Sequence, residues 1–278
     1  MKQILFKKLK MLIKTIILLP IKLSVALTNI DLLDIALKNL GIGLHFEYNS
    51  SGEEYFIKSV LKKLVAPKPT FVDVGANLGT YSTMLCKAFP TATIYAFEPN
   101  PFAYNRLEKL FNNERSIKLF NKALGNNEGQ NNLYIEKDNT LSQLASLNKN
   151  VYIELHKNTN IKAVSVNTTT IDIFMKTNHV DAIDFIKIDT EGNELEVLKG
   201  AKYALTNGKI KIIQFEFNEM NIISRIFLKD FYEIMPNYYI FRLAKRRLIP
   251  LEKYQSSFEI FRFQNFIAIR KDLLDITM

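Results

Sequence analysis

The stretch FVDVGANLGTYS (71–82) ends an apolar run in Asp73, inserts Gly75 and Gly79, and then opens a helical pattern, YSTMLCKAF (81–89). Pro69 and Thr70 bound the run on its left. A strand, a tight glycine turn and a helix in that order predict a β–α unit of an α/β sheet, with the turn facing a ligand. Working outward, further strand candidates are ATIYAF (92–97), SIKLFN (116–121), DFIKID (184–189) and IKIIQFEF (210–217), with helices opening near Leu78, Pro101 and Glu194. Apolar strands alternating with helices predict a mostly parallel sheet covered on both faces. NYYIFRL (237–243) and FQNFIAIR (263–270) have no full helix between them and predict an antiparallel pair at the sheet edge.

The chain has 278 residues, 47% hydrophobic and 23% charged, which suits one large α/β domain with an added segment. A formal net charge of +9 favours an anionic partner, such as a membrane surface or an acidic glycan. The charge is dispersed and no nucleic-acid-reading module stands in the sequence, so no nucleic acid partner is expected. AKRRL (244–248) is a short basic cluster that reads as a solvated loop. A single cysteine, Cys86, excludes an intrachain disulfide or a cysteine-based zinc site, and its place on an apolar helix face reads as a core thiol. The three histidines, His45, His156 and His179, are not at metal-ligand spacing.

In MKQILFKKLKMLIKTIILLP (1–20), Leu5, Phe6, Leu9, Leu12, Ile13 and Ile16 share one helical face and Lys7, Lys10 and Lys14 the other. The lysines interrupt the run of roughly 20 apolar residues that a bilayer crossing needs, and a cleavable signal would want a cleaner apolar centre. Two readings stand level: a helix packed on the α/β domain, or peripheral attachment to an anionic membrane. The second places a cytoplasmic protein against the inner face of the membrane. A second helix, NIDLLDIALKNLG (29–41), has Thr28 or Asn29 as its expected cap and Gly41 as its stop. The expected organisation is a helical segment over 1–45 and an α/β domain over 46–278. Within that domain the polar stretch 126–168, with strand-like pieces at 131–136 and 163–167, is expected to cover the site or shape an acceptor pocket.

In such a sheet ligands sit beyond the carboxyl ends of the strands, and Asp73, Glu98, Asp189 and Glu216 all lie at or near strand ends. The spacing Gly75-x-x-x-Gly79 departs from the G-x-G-x-x-G of dinucleotide sites, and no Lys-Ser/Thr follows to make a P-loop. A carboxylate two residues before the first glycine repels a pyrophosphate but suits an ammonium or sulfonium. Glu98 lies some two dozen residues after Gly75, where a carboxylate takes both hydroxyls of a ribose. Pro99 and Pro101 then turn the chain into the next helix. A cationic amino-acid head beside Asp73 and a ribose at Glu98 describe S-adenosylmethionine, and the pair resembles the first two motifs of class I methyltransferases.

FIKIDTEGNELEVLKGA (185–201) resembles the hallmark segment of the FkbM methyltransferase family, D-x-E-G-x-E followed by V-L-x-G-A. NKALGNNEG (121–129), TTIDIF (169–174) and IIQFEF (212–217) resemble other family segments in the same order, so the likeness spans about residues 50–270. It implies a Rossmann-like class I methyltransferase with a mostly parallel seven-stranded sheet, helices on both faces and added N-terminal helices. It also implies methyl transfer from S-adenosylmethionine, often to a sugar or polyketide oxygen, with a glycan or small molecule as acceptor. By position, Asp73, Gly75, Asn77 and Gly79 line the methionine and sugar part of the cofactor, Glu98 and Pro99 meet the ribose, and Asn121 and Ala123 lie near the adenine.

Methyl transfer needs alignment, water exclusion and, for a hydroxyl acceptor, a base. Asp189 is the first candidate for that base, with Glu191 and Glu216 nearby; the alternative is that Asp189 and Glu191 brace their turn through backbone N–H groups. Glu194 reads as a bracing carboxylate at a helix start. Asp189, Glu216 and Asn218 as ligands of a magnesium-type ion are a minority reading, and the expected site holds no metal. His156 is discounted as a base. A nicotinamide dehydrogenase and a non-catalytic cofactor-binding homologue are the alternatives to a methyltransferase.

Overall fold

The computed structural model describes residues 31–44 and 51–274, together with Ile16. The amphipathic pattern of residues 1–20 and His45 lie outside the described residues, apart from the solvent-exposed Ile16. The chain divides into two compact units, Met1–Leu40 and Gly41–Met278. In the first unit, helix α1 (Leu32–Asn39) is capped by Asp31 and not by Thr28 or Asn29. One Asp31 carboxylate oxygen accepts from the amides of Leu33 and Asp34, so the cap falls where an acidic side chain can reach two free N–H groups. Gly41, at φ +82°, follows the helix end as expected.

The second unit opens with helix α2, built of Glu53–Tyr55, a wider π-helical turn over Phe56–Leu61 and Lys62–Leu64. The elements that follow are β1 (Thr70–Val74), α3 (Thr80–Ala88), β2 (Thr93–Phe97), α4 (Pro101–Leu110), β3 (Ile117–Phe120), β4 (Ala123–Leu124) and β5 (Gly129–Glu136). A short π-helical turn, Val151–Leu155, precedes β6 (Ile161–Thr169), α5 (Ile171–Thr177), β7 (Ile183–Ile188), α6 (Glu194–Lys199), α7 (Lys202–Thr206) and β8 (Ile210–Phe217). The chain ends through α8 (Met220–Ser224), α9 (Leu228–Ile234), β9 (Tyr238–Ala244), β10 (Arg247–Pro250) and β11 (Gln264–Arg270).

The main sheet has eight strands in the order β10-β9-β11-β8-β7-β1-β2-β3. Strands β3, β2, β1, β7 and β8 pair in parallel, and β8–β11, β11–β9 and β9–β10 pair antiparallel. The expectation of seven mostly parallel strands is therefore corrected to eight in a mixed sheet. The extra strand comes from AKRRL: Lys245 and Arg246 form a two-residue hairpin turn closed by the Ala244–Arg247 pair, and Arg247 begins β10. A basic loop and a charged edge strand share one composition, since an edge is where solvated charge is tolerated in a sheet.

Alternate residues of the central strands feed two cores. Val72, Ile186, Ile188 and Phe215 pack on one face with α5, α6 and α9 residues, and Phe71, Phe185 and Ile212 pack on the other with α2 and α3. Close to the carboxyl end, that second face turns polar. Register places Asp73 beside Lys187 and Lys187 beside Gln214, a row of three buried polar residues across β1, β7 and β8. Cys86 is half-buried at the margin of this core, its Sγ 3.6 Å from Ser116 Oγ. The stretch 126–168 supplies β5 and β6, an antiparallel pair that makes a small second sheet with β4.

Candidate active site

The chain leaves β1 through three residues in left-handed conformation, Gly75 (φ +82°), Asn77 (+48°) and Gly79 (+82°). The amides of Gly75 and Ala76 both donate to the Phe97 carbonyl at 3.0 Å, which folds the turn over the end of β2. A β-carbon at Gly75 would lie 1.8 Å from the Asp189 carbonyl oxygen, so the glycine is demanded by the neighbouring strand end. At Gly79, the N-cap of α3, a β-carbon would meet Leu107, Leu110 and Phe111 at 2.8–2.9 Å.

A cleft opens beyond the carboxyl ends of β1, β2 and β7, enclosing about 940 Å³ including its mouth. Of the residues expected to hold a cofactor, Gly75, Asn77, Glu98, Pro99 and Ala123 line it. Asp73, Gly79 and Asn121 are not part of that lining. Asp73 is fully buried, accepts from Ser82 Oγ at 2.6 Å, and leaves Oδ1 without a partner. Asn121 donates from Nδ2 to the carbonyls of Glu98 (2.8 Å) and Pro99 (3.1 Å), which fixes the loop after β2. Glu98 accepts from the amides of Asn77 (2.7 Å) and Asn100 (2.8 Å), one on each carboxylate oxygen. Burial nonetheless pushes its carboxyl up to about 7.

Across the cleft, Asp189 and Glu191 line the wall after β7, whereas Glu216 does not reach it. Asp189 Oδ2 pairs with Lys187 Nζ at 2.9 Å; the Asp189 side chain is 31% exposed and that of Lys187 only 6%. Glu191 sits at φ +56°, and burial followed by the Asp189 charge pushes its carboxyl well above the usual range. Glu216 is buried, accepts from Asn218 Nδ2, and is pushed up by burial and then by Asp189 and Glu191. Glu194 braces the turn: Oε1 accepts from the amides of Thr190 (2.8 Å) and Gly192 (3.2 Å) and from Thr190 Oγ1 (3.0 Å). His156 lies off the cleft lining, its Nε2 buried and unpartnered and its basicity lowered by burial. Among the described residues no three His, Cys, Asp or Glu side chains are placed to share a metal ion.

Sequence reasoning missed Lys187, Tyr81 and the 126–168 side chains Leu133, Ser142, Gln143, Ala145 and Leu147, all of which line the cleft. The signal for Lys187 was present: an ammonium near the end of a central strand otherwise built to be buried. Burial above all raises the carboxyls of Asp73, Glu98 and Glu191, and the Lys187 ammonium opposes the shift at Asp73 and Glu191. A cationic ligand would favour their ionised forms, and the apolar wall of Phe97, Ala123, Leu124 and Leu133 suits a flat base.

Residues 73–238 match the Methyltransferase FkbM domain. The chain belongs to the FkbM methyltransferase family. This FkbM protein is an S-adenosylmethionine-dependent methyltransferase, and the nicotinamide dehydrogenase reading falls away. It is 24% identical over 188 residues to the 2-O-methyltransferase NoeI of Sinorhizobium fredii, an alignment covering 65% of this chain and 76% of that protein. It is 27% identical over 164 residues to the hexuronic acid methyltransferase AglP of Haloferax volcanii, covering 59% and 62% respectively. Among solved structures, it overlays on the O-methyltransferase from Bacillus cereus in complex with S-adenosylhomocysteine with a TM-score of 0.43 and 9% identity, covering 78% of this chain and 80% of that one. The class I assignment of the FkbM chain rests on its family and on its strand order. No described helix is long and apolar enough to cross a membrane.

Proposed function

We propose that this FkbM methyltransferase methylates a sugar hydroxyl in a glycan or glycolipid precursor, with Asp189 accepting the hydroxyl proton. The observation that carries the reading is the opposition of two strand-end carboxyls across one cleft, Glu98 after β2 and Asp189, paired with Lys187, after β7. The hexuronic acid in the name of AglP and the O-methylation in the name of NoeI support the acceptor class.

The cofactor supplies a methyl group already activated on a sulfonium sulfur. Gly75 and Asn77 present backbone to its amino-acid and sugar portions, and Glu98 offers the free lone pairs of both oxygens to ribose hydroxyls. Pro99 would flank the ribose and Ala123 the adenine, while Asn121 and Gly79 hold the loops that carry these groups. Buried Asp73 adds negative potential beneath the cationic end. Asp189, half-open to the cleft, would hold the acceptor hydroxyl and take its proton, with the methyl group supplied by the cofactor's sulfonium. Glu191 stands beside it in the same wall, its carboxyl pushed up by burial and then by the Asp189 charge, and Glu216, held by Asn218, acts without touching the cleft. The stretch 126–168 shapes the acceptor side, a role supported by its five side chains in the cleft wall. We extend the proposal to peripheral attachment at an anionic cytoplasmic membrane surface through residues 1–20, motivated by their lysine pattern.

The test is transfer of labelled methyl from S-adenosylmethionine to a panel of mono- and oligosaccharides. Asp189→Asn is expected to lower turnover by about 10²–10⁴-fold while S-adenosylhomocysteine still binds. Full turnover in that variant would remove Asp189 as the base. Transfer to amines or to non-sugar hydroxyls alone would sink the acceptor class, and cofactor binding without transfer to anything would favour the non-catalytic alternative.

A further inference from the structure

A chain of buried polar groups runs beneath the cleft from outside the family-matched segment. Ser51 Oγ donates to Glu53 Oε2 at 2.7 Å, and Gln214 Nε2 donates to Glu53 Oε1 at 2.7 Å. The same Nε2 reaches Asn265 Oδ1 at 3.2 Å, and Tyr81 OH donates to Gln214 Oε1 at 2.7 Å. The Tyr81 ring lies 4.9 Å from Lys187 Nζ, which in turn pairs with Asp189. Ser51, Glu53, Tyr81, Lys187, Gln214 and Asn265 are all buried. Ser51, Glu53 and Asn265 fall outside residues 73–238.

We propose that Lys187 is a positioning residue for Asp189, and that the chain Glu53–Gln214–Tyr81 sets where its ammonium points. The inference rests on Asp189 as the proton acceptor of the proposed reaction. Lysine is a point charge on a flexible four-carbon stem, so its direction must come from its surroundings. Here part of the direction comes from the face of Tyr81, whose ring attracts a cation and whose hydroxyl is anchored at its far end, alongside the charges of Asp73 and Glu53, which also act on the ammonium. The anchor has a defined sense. Gln214 must turn its NH2 to the Glu53 carboxylate, because the opposite orientation would set its carbonyl against that acceptor. That leaves the carbonyl facing Tyr81 OH. The Glu53 carboxylate thereby orients an amide, the amide a phenol, the ring an ammonium, and the ammonium a carboxylate that is itself half-open to the cleft. Without the last link, Asp189 is free to rotate toward solvent. Such a chain is worth more intact than the sum of its pairs, since each low-dielectric bond fixes the next.

The experiment uses full-length protein carrying isotope-labelled lysine, with the Lys187 ammonium NMR signal assigned through its loss in Lys187→Met. Gln214→Met removes the central link at near-constant volume, and Tyr81→Phe removes only the anchoring hydroxyl, so one variant serves if the other fails to fold. Both are expected to broaden or shift the Lys187 signal. Both should also lower single-turnover methyl transfer by roughly 10–100-fold, with S-adenosylhomocysteine affinity changed by less than about threefold. An unchanged Lys187 signal in both variants overturns the chain. A displaced signal with full turnover overturns the positioning role. A wild-type enzyme that methylates no sugar, while its Lys187 signal responds as expected, would overturn the acceptor proposal and support the chain.

Discussion

Replacing Gly75 with alanine would place a β-carbon 1.8 Å from the Asp189 carbonyl oxygen and 3.0 Å from its carbonyl carbon. A carbon–oxygen contact settles at roughly 3.3–3.6 Å, so the turn and the end of β7 must part by about 1.5 Å. The Asp189 amide donates to the Val74 carbonyl at 3.0 Å, so this movement opens the β1–β7 ladder where the cleft begins. Holding alanine at φ +82° costs about 1–2 kcal/mol, and forcing the contact costs about 1–3 kcal/mol more. Alanine's stiffer unfolded chain offsets only about 0.4–1 kcal/mol. The expected net loss is about 1–5 kcal/mol, a fall in Tm of roughly 2–20 °C for a unit of this size. Thermal unfolding followed by circular dichroism measures it, and calorimetry with S-adenosylhomocysteine should show weakened binding. Gly125→Ala is the control: its β-carbon would meet only Asn193 Nδ2, at 3.9 Å, and should change stability by under about 0.5 kcal/mol. A Gly75→Ala protein melting with the wild type and binding as tightly would refute the close-approach argument.

Because Glu98 is pushed up to about 7, affinity for S-adenosylhomocysteine should rise by about tenfold per pH unit up to that point and then level off. Glu98→Gln should flatten the profile; a wild-type profile already flat from pH 6 to 8 would count against the ribose assignment. Stability runs the other way. The folded carboxyl holds its proton more tightly than the unfolded one near 4.5, so the Glu98 contribution is largest below that pH and falls as pH rises to about 7. Glu194→Ala strands the amides of Thr190 and Gly192 and should cost about 2–4 kcal/mol in urea denaturation, with Glu194→Gln milder; equal, small losses would show that the turn does not depend on this carboxylate. Removing residues 1–20 should abolish co-sedimentation with anionic vesicles, and unchanged sedimentation would end the membrane proposal.

The strand–turn–helix order was legible because its signals are local. TFVDV and IKIIQFEF coincide with β1 and β8, Pro101 and Glu194 open α4 and α6, and Gly75 and Gly79 do occupy left-handed positions. Short apolar runs buried nearly throughout, proline punctuation and φ > 0 at glycine act within a few residues, so composition and spacing suffice to read them. The eighth strand was not legible, because Arg247–Pro250 becomes a strand only once β9 lies beside it.

The cleft divides along the same line. Glu98 and Asp189 were readable as strand-end carboxylates at a sheet whose ligands gather there. Whether a strand-end residue faces the ligand or the protein is set by the partners that the folded loops and neighbouring strands bring to it. Asp73 turns to Ser82, Asn121 to the loop after β2 and Glu216 to Asn218, while Lys187 comes forward between Tyr81 and Asp189. Spacing marked Gly75 as part of a tight turn without showing what crowds it from the protein side. Its missing side chain makes room for the carbonyl of Asp189, a residue that meets it only when β7 docks against β1, so pairing across the sheet and not spacing along the chain accounts for the opening glycine.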